Sequence, residues 1–354
     1  MNRHNFLGHL ALALTIVLVA AFAGQLRRWE RQRDATPREN SNETEALDTR
    51  RELFAAEPHG PEVLVRFRPG TSEARISEIT AQLNDHVEDQ IESVRGLVAI
   101  DDLDNAPAQA VADQYSKMSD VVEYAEPNLE INLEPREAGK YSNGDQYGNA
   151  LDEASESPLS TAGTPSDPMF GEQWSLENSG QRGGKAKADI NALTAWGKTT
   201  GSRDVVVAVL DSGVDYTHRD LAENMWRRPD NVDEYYDAEI GTVDDQYGYD
   251  ATLDSGDPMD DNGHGTHCAG IIGAEGDNGL GVAGINWHVQ IMPLKFISRT
   301  GSGTTKDAIE AINYVINRKQ AGVNVRIISA SWGSTQKSKA LEAVIRKAGE
   351  EGML

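Results

Sequence analysis

Ala208-Val209-Leu210-Asp211-Ser212-Gly213-Val214-Asp215 and Asn262-Gly263-His264-Gly265-Thr266-His267-Cys268-Ala269-Gly270 decide how this chain folds. The first closes an apolar run over 204–210, which reads as a buried strand delivering a carboxylate at its C-terminal end. The second reads as a glycine-rich turn that opens a helix with a histidine at its start. An acid that orients an imidazole, and an imidazole that takes a proton from a nucleophile, are two of the three groups of a serine-hydrolase triad. A strand-end carboxylate can also simply cap a turn, so Asp211 keeps a structural reading beside the chemical one. For His264 and His267 the rival is a metal pair. The usual helical zinc pair is four residues apart and carries an acid within it, whereas these are three apart.

With the acid preceding the histidine, both segments resemble the subtilases, and the resemblance implies that Asp211 is the orienting acid and His264 the general base. It extends to the flanking sequence. Asp167-Pro168-Met169-Phe170 and Gln173-Trp174-Ser175-Leu176 resemble the leading segment of the kexin-like and related branches. Beyond it the pattern gives a helix at 188–196, the strand to Asp211, a long acidic insertion at 227–261, the His264 helix, a strand at 289–296, a helix at 305–318, a strand at 325–330 and a helix at 339–350. Strands alternating with helices at this spacing indicate an α/β fold with a doubly wound parallel sheet, active groups sitting at the C-terminal strand ends. The resemblance makes it the subtilisin type.

Upstream, 63–67, 87–93, 97–100 and 121–126 read as strands, and 72–83 and 106–117 as helices with Ile76, Ile79 and Leu83, then Val111, Tyr115 and Met118, on single faces. The order βαββαβ is a small α+β ferredoxin-like unit. It resembles the inhibitory propeptide of subtilases, down to Val122-Glu123-Tyr124-Ala125-Glu126-Pro127-Asn128. That resemblance implies that the chain's own propeptide acts as an intramolecular inhibitor, its sheet against the protease and its C-terminal strand in the substrate groove as an added β-strand. The expected organisation is therefore a signal peptide or signal anchor at 1–26, a polar linker at 27–60, a propeptide-like domain at 61–132, a flexible linker at 133–166 and the catalytic domain at 167–354.

The N-terminus combines Arg3 and His4, an apolar run over 10–24 and a small-x-small Ala21-Phe22-Ala23, as in a secretory signal. Arg27, Arg28, Arg31 and Arg33 follow at once and favour the cytoplasmic side, so a membrane anchor formed by 6–26 stays open. The expected location is secreted or extracytoplasmic. A net charge of −24 excludes the basic footprint that nucleic-acid binding needs. The single cysteine, Cys268, rules out a disulfide within the chain. Its place after His264 suggests a nucleophile; the plainer expectation is a small buried residue beneath the site.

The resemblance also implies a groove for polypeptide substrates, with Gly301-Ser302-Gly303 as one extended edge and Ser331-Trp332-Gly333 as the facing one. Glycine suits such an edge because a side chain would block backbone approach, although glycine clusters mark ordinary loops too. In the kexin-like branch acids follow the Trp-Gly; here Ser334-Thr335-Gln336 follow, which argues against dibasic specificity. A calcium ion (Ca2+) is implied at Asp220 and at Asn278, with the carbonyls of Gly276, Leu280 and Val282 and with Asp167 or Gln173 completing a hard oxygen set. Asp250, Asp254, Asp257, Asp260 and Asp261 form a second acidic cluster, readable as another calcium site or, more simply, as a solvated loop. Subtilases continue to an oxyanion-hole Asn and a Gly-Thr-Ser-x-Ala-like nucleophile motif. Of Ser298, Ser302, Ser329, Ser331, Ser334 and Ser338 after His264, none stands in that context. The expectation is thus the N-terminal portion of a serine endopeptidase precursor, its catalytic sheet C-terminally incomplete. The alternative is a catalytically dead fragment, or a non-catalytic propeptide-like inhibitor or chaperone.

Overall fold

The computed structural model describes residues 62–133, 163–334 and 336–354. The expected signal or anchor, the linker at 27–60 and most of the 133–166 connector lie outside them. Among the described residues no helix is long and apolar enough to cross a membrane. His59–Leu354 forms one compact unit.

The N-terminal module runs β1 (Glu62–Phe67), α1 (Glu73–Leu83), β2 (Asp85–Gln90), β3 (Leu97–Asp102), α2 (Ala108–Ser116) and β4 (Val122–Pro127), followed by a short β5 (Glu130–Asn132). The first four strands form a sheet of order β2-β3-β1-β4 with every neighbouring pair antiparallel, the ferredoxin-like arrangement. Helix α1 starts where the Ser72 hydroxyl accepts the Arg75 N–H and stops at Asn84 in the left-handed region, φ 60°. Both are favourable cap residues. Strand β2 begins earlier than the expected 87 and ends before Ile91, whose N–H bonds the Leu97 carbonyl across the turn to β3.

Alternation along β1 and β3 assigns the two faces of this sheet. Val63, Val65, Phe67, Val98 and Ile100 pack on Ile76, Ile79, Val111 and Tyr115 of the module's own helices. Leu64, Leu97 and Ala99 point the other way and, with Ile91 and Val94, join the core of the second half of the chain.

That second half contains α3 (Ala192–Trp196), β6 (Gly201–Asp211), β7 (Tyr235–Asp237), β8 (Gly241–Val243), β9 (Tyr249–Asp250), α4 (His264–Gly273), β10 (His288–Lys295), β11 (Ser302–Thr304), α5 (Thr305–Gln320), β12 (Val325–Ala330) and α6 (Lys339–Glu350). Its main sheet has the order β12-β6-β10-β9, all parallel. Val206, Ala208 and Leu210 of β6 pack with Ala308, Ile309 and Ile312 of α5. Val207 and Val209 pack with Ala269 of α4. Helices on both faces explain why β6 reads as an unbroken apolar run. Helix α5 is started by a capping box, Thr304 and Asp307 each accepting the other's backbone N–H.

Two expectations change. The helix expected at 188–196 begins only at Ala192, because the Asp189 carboxylate accepts the N–H groups of Asn178 and Asn191 and ties the segment into a turn. The acidic insertion at 227–261, for which no element was expected, has elements of its own. It folds into the β7–β8 hairpin and the sheet edge β9, burying Val232, Tyr235, Val243 and Tyr249. Tyr249 stacks on Tyr314 of α5 at 5.3 Å. Its buried Asp245 bonds the Tyr314 hydroxyl at 2.8 Å and pairs with Arg228 and Arg318 at 2.9 and 3.2 Å. Paired in this way, a carboxylate tolerates full burial.

Candidate active site

Strand β6 carries Asp211, wholly buried, to the C-terminal rim of the main sheet. The chain then turns sharply at Gly213, φ 91°, where a Cβ would lie 2.4 Å from the Pro258 carbonyl oxygen. Gly263, also left-handed at φ 96°, precedes α4. Gly265 brings the first turn of that helix against the acid: a Cβ there would meet the Gly213 oxygen at 2.1 Å. These close approaches are why the segment is glycine-rich.

His264 Nδ1 lies 2.7 Å from Asp211 Oδ1 and 2.9 Å from Oδ2. An ionised carboxylate only accepts, so in the neutral imidazole Nδ1 carries the proton and Nε2 is the basic nitrogen. The imidazole is partly open, its side chain 30% exposed against 1% for Asp211. An open base oriented by a buried acid can take a proton from a nucleophile and return it to a leaving group.

A second layer fixes this pair, and sequence reasoning missed it. Asp260 Oδ1 accepts the Ser212 hydroxyl and the N–H groups of Asn262 and Gly263, while Oδ2 accepts the N–H and hydroxyl of Thr266. Burial works against ionisation of Asp260, but the bonds from Gly263, Thr266 and Asn262 hold its carboxyl below the ordinary range. Ser212 Oγ in turn accepts the Gly265 N–H at 2.9 Å. Lys295, at the end of β10 and 3% exposed, donates to the Ser212 and Ile297 carbonyls and to Asp261 at 2.6 Å. It ties the strand end behind Asp211 to the loop ahead of His264. The one available signal was a lysine inside Met292-Pro293-Leu294-Lys295-Phe296-Ile297, since a buried lysine needs partners.

Cys268, one turn along α4, places Sγ 3.9 Å from His264 Nδ1, the nitrogen already facing Asp211. A nucleophile has to address Nε2, and burial pushes this thiol up, away from the reactive thiolate. Asp211, His264 and Cys268 bring ligand atoms within 4.8 Å, yet a metal there would take the nitrogen that orients the ring. His267 is exposed and lies outside that group.

Beside the pair, Gly301-Ser302-Gly303 leads into β11, which pairs antiparallel with β5: Ser302 opposite Asn132, Gly303 opposite Ile131, Thr304 opposite Glu130. The Leu133 N–H extends the ladder to the Gly301 carbonyl at 2.8 Å. Gly303 cannot carry a side chain, because its Cβ would sit 2.0 Å from the Phe296 oxygen. Of the facing residues, Trp332 donates Nε1–H to the Leu210 carbonyl at 2.9 Å and packs on Phe296, while Ser331 and Gly333 are exposed.

The residues named for calcium separate into two groups. Asp220 and Asp167, each 4% exposed, meet the 276–282 loop. Asp220 accepts from Asn278 Nδ2 and from the Val282 N–H; Asp167 Oδ2 accepts the Asp277 N–H. Burial, reinforced by the nearby Asp220 charge, pushes the Asp167 carboxyl up to about 6 against bonds from backbone N–H groups. Asp167 Oδ1 is buried without a hydrogen-bond partner. Asn278 Oδ1 accepts the Leu280 N–H, and Gly276 is pressed on the Trp287 ring. Gln173 does something else: its amide clamps Ala283, accepting that N–H at 2.9 Å and donating to that carbonyl at 2.8 Å. The second acidic cluster does not converge. Asp250 bonds Thr252, Asp254 the Tyr249 hydroxyl, Asp257 the Tyr216 hydroxyl, Asp260 the loop above and Asp261 Lys295.

Comparison with known proteins agrees with this geometry. The sequence profile of the Subtilase family matches residues 202–354, and that of the Fervidolysin N-terminal prodomain matches 60–128. Neuroendocrine convertase 2 of Caenorhabditis elegans is 32% identical over 188 residues, 53% of this chain and 26% of that protein. Subtilisin-like protease 1 of Plasmodium vivax is 40% identical over 124 residues, 33% of this chain and 19% of that protein. Thermophilic serine proteinase of Bacillus sp. (strain AK1) is 35% identical over 158 residues, 45% of this chain and 33% of that protein. The chain thus spans a third or less of the length of these relatives. The chain carries a subtilase domain over 202–354 behind a prodomain of the fervidolysin type over 60–128, within one α/β structure.

Proposed function

We propose that this chain is part of the precursor of a serine endopeptidase acting on polypeptides, with His264 as general base and acid and Asp211 as the group that orients its ring. The observation that carries the reading is the 2.7 Å bond between His264 Nδ1 and a fully buried Asp211 at the rim of a parallel sheet. Nε2 would remove the proton of a serine hydroxyl as it attacks the peptide carbonyl, then deliver that proton to the departing amine. Water would release the acyl group by the same exchange. The pairing of β5 with β11 supports the N-terminal module as intramolecular inhibitor: its tail occupies an edge that an extended substrate would use. The apolar run near the N-terminus supports export.

Calcium fits the Asp167–Asp220 corner. Two buried carboxylates stand together there and one oxygen lacks a partner. Asp167 and Asp220, with the side chain of Asn278 and the carbonyls of Gly276, Leu280 and Val282, would hold the ion, whose chemistry there is to neutralise the acids and stiffen the loop. Gln173 would support it through Ala283.

Labelling of the full-length protein by an active-site fluorophosphonate tests the catalytic reading. His264→Ala should lower the labelling rate by about a million-fold and Asp211→Asn by roughly ten-thousand-fold. Equal labelling of wild type and His264→Ala would refute the assignment of the base.

A further inference from the structure

Lys295 closes β10 among Met292, Leu294, Phe296 and Ile297, all of them buried. An ammonium has three N–H donors and no acceptor. Here each donor is used: on the Ser212 carbonyl at 3.0 Å, on the Ile297 carbonyl at 3.0 Å and on Asp261 Oδ1 at 2.6 Å. A buried charge is costly, and a buried ion pair is often no more stable than apolar residues of the same volume. Charge balance does not explain the choice of partner either. Asp250 stands opposite Lys295 in the β9–β10 ladder, 1% exposed, and its Oδ2 has no hydrogen-bond partner. The ammonium leaves that oxygen unmet and reaches instead Asp261, part-exposed and three residues ahead of His264.

What the ammonium joins are the two segments that bring acid and histidine together. On one side stands Ser212. Its N–H meets Asp211 Oδ1 at 2.7 Å, its hydroxyl donates to Asp260 Oδ1 and accepts the Gly265 N–H, and its carbonyl accepts from Lys295. On the other side stands Asp261, next in sequence to the Asp260 carboxylate that holds the N–H groups of Asn262, Gly263 and Thr266 around the start of α4. Lys295 is itself in register with the acid. It lies opposite Asp211 in the β6–β10 ladder, and the N–H groups of Phe296 and Ile297 both donate to the Asp211 carbonyl.

We propose that Lys295 is a positioning residue: its ammonium sets the separation between the strand end carrying Asp211 and the loop leading to His264, and so keeps imidazole Nδ1 on the carboxylate. With its three donors used elsewhere, it acts on the pair only through Ser212 and Asp261. The consequence for catalysis rests on His264 being the base; the effect on the Nδ1 bond does not. Two roles for this cation predict opposite signs. Acting through space alone, its removal would make Asp211 a stronger acceptor and tighten the hold on the Nδ1 proton. Acting through position, its removal loosens that hold.

Nuclear magnetic resonance of this chain carrying 15N-labelled histidine reads the His264 Nδ1 proton without any hydrolytic step. In the wild type that proton should resonate at low field and exchange slowly with water. Lys295→Met keeps the stem and removes the donors. It should speed the exchange at least about tenfold, the equilibrium worth of one hydrogen bond, and move the signal upfield, while amide protection at 206–210 in β6 holds. Asp261→Ala severs only the link to the loop and should act in the same direction, also in about 0.5 M sodium chloride, which screens the charge it removes. It carries the test should Lys295→Met fail to fold. Unchanged or slower exchange in either folded variant would overturn the proposal, the slower result leaving Lys295 a through-space role alone. Parallel loss of protection at 206–210 in both variants would overturn it as well, by showing a general loosening of the sheet. In the full-length protein, weaker fluorophosphonate labelling of Lys295→Met with the Nδ1 proton unmoved would leave His264 as base and still refute the positioning. A loosened Nδ1 proton, with equal labelling of wild type and His264→Ala, would sustain the positioning and remove the base.

Discussion

Replacing Glu126 should loosen the docking of the N-terminal module more than any other single change at its C-terminal end. The Glu126 carboxylate accepts the Ser338 hydroxyl at 2.6 Å and the N–H groups of Lys339 and Ala340 at 2.9 and 3.1 Å. It therefore caps α6 from another module, while Ser338 itself accepts the Leu341 N–H. Hydrogen bonds to a charged group contribute about 1.5–3 kcal/mol each, and an anion at a helix start about 0.3–1 kcal/mol more. Glu126 is half-buried, so solvent competes, and the three bonds share one carboxylate and do not add in full. We expect Glu126→Ala to cost about 2–3 kcal/mol, a 30- to 150-fold drop in the docked population. Glu126→Gln keeps one acceptor and should cost only about 1 kcal/mol. Amide exchange at pH 6 reads this at Leu133 and Thr305, whose N–H groups reach the Gly301 and Leu129 carbonyls across the junction. A change below twofold for Glu126→Ala, or acceleration of β6 amides in step, would show that the carboxylate does not hold the module.

Gly303→Val should break the β5–β11 ladder, since the new Cβ must displace the Phe296 carbonyl from 2.0 Å; overpacking of that kind costs roughly 1–3 kcal/mol, and an unchanged melting midpoint with unchanged exchange at 130–133 would contradict it. Asp220→Asn should weaken calcium binding at least about tenfold by removing one of the two carboxylates; calorimetric titration of the chain with calcium chloride reads it, and identical heats in both proteins would remove the ion from this corner.

The meeting of Asp211 with His264 was legible because each sits in a segment whose local pattern is sufficient. An apolar run set the strand, and close approaches at Gly213 and Gly265 demanded glycine. The ferredoxin-like order of the N-terminal module followed from periodicity for the same reason, with boundaries off by a few residues where caps such as Asn84 intervene. What local pattern could not give was partnership. Gln173 looks like an oxygen donor in sequence and is a backbone clamp in the fold. Asp260, Ser212 and Lys295 carry no motif of their own, yet converge from three segments to hold the pair in place.

The largest misreading concerned negative charge. The cluster of Asp250, Asp254, Asp257, Asp260 and Asp261 reads most simply as a solvated loop, yet Asp250 is buried, as are Asp237 and Asp245 of the same insertion. Each burial is balanced differently: Asp245 by Arg228 and Arg318, Asp237 by the Tyr235 hydroxyl and the N–H groups of the β7–β8 turn, Asp250 by Thr252. Where such donors are present the acid serves as packing.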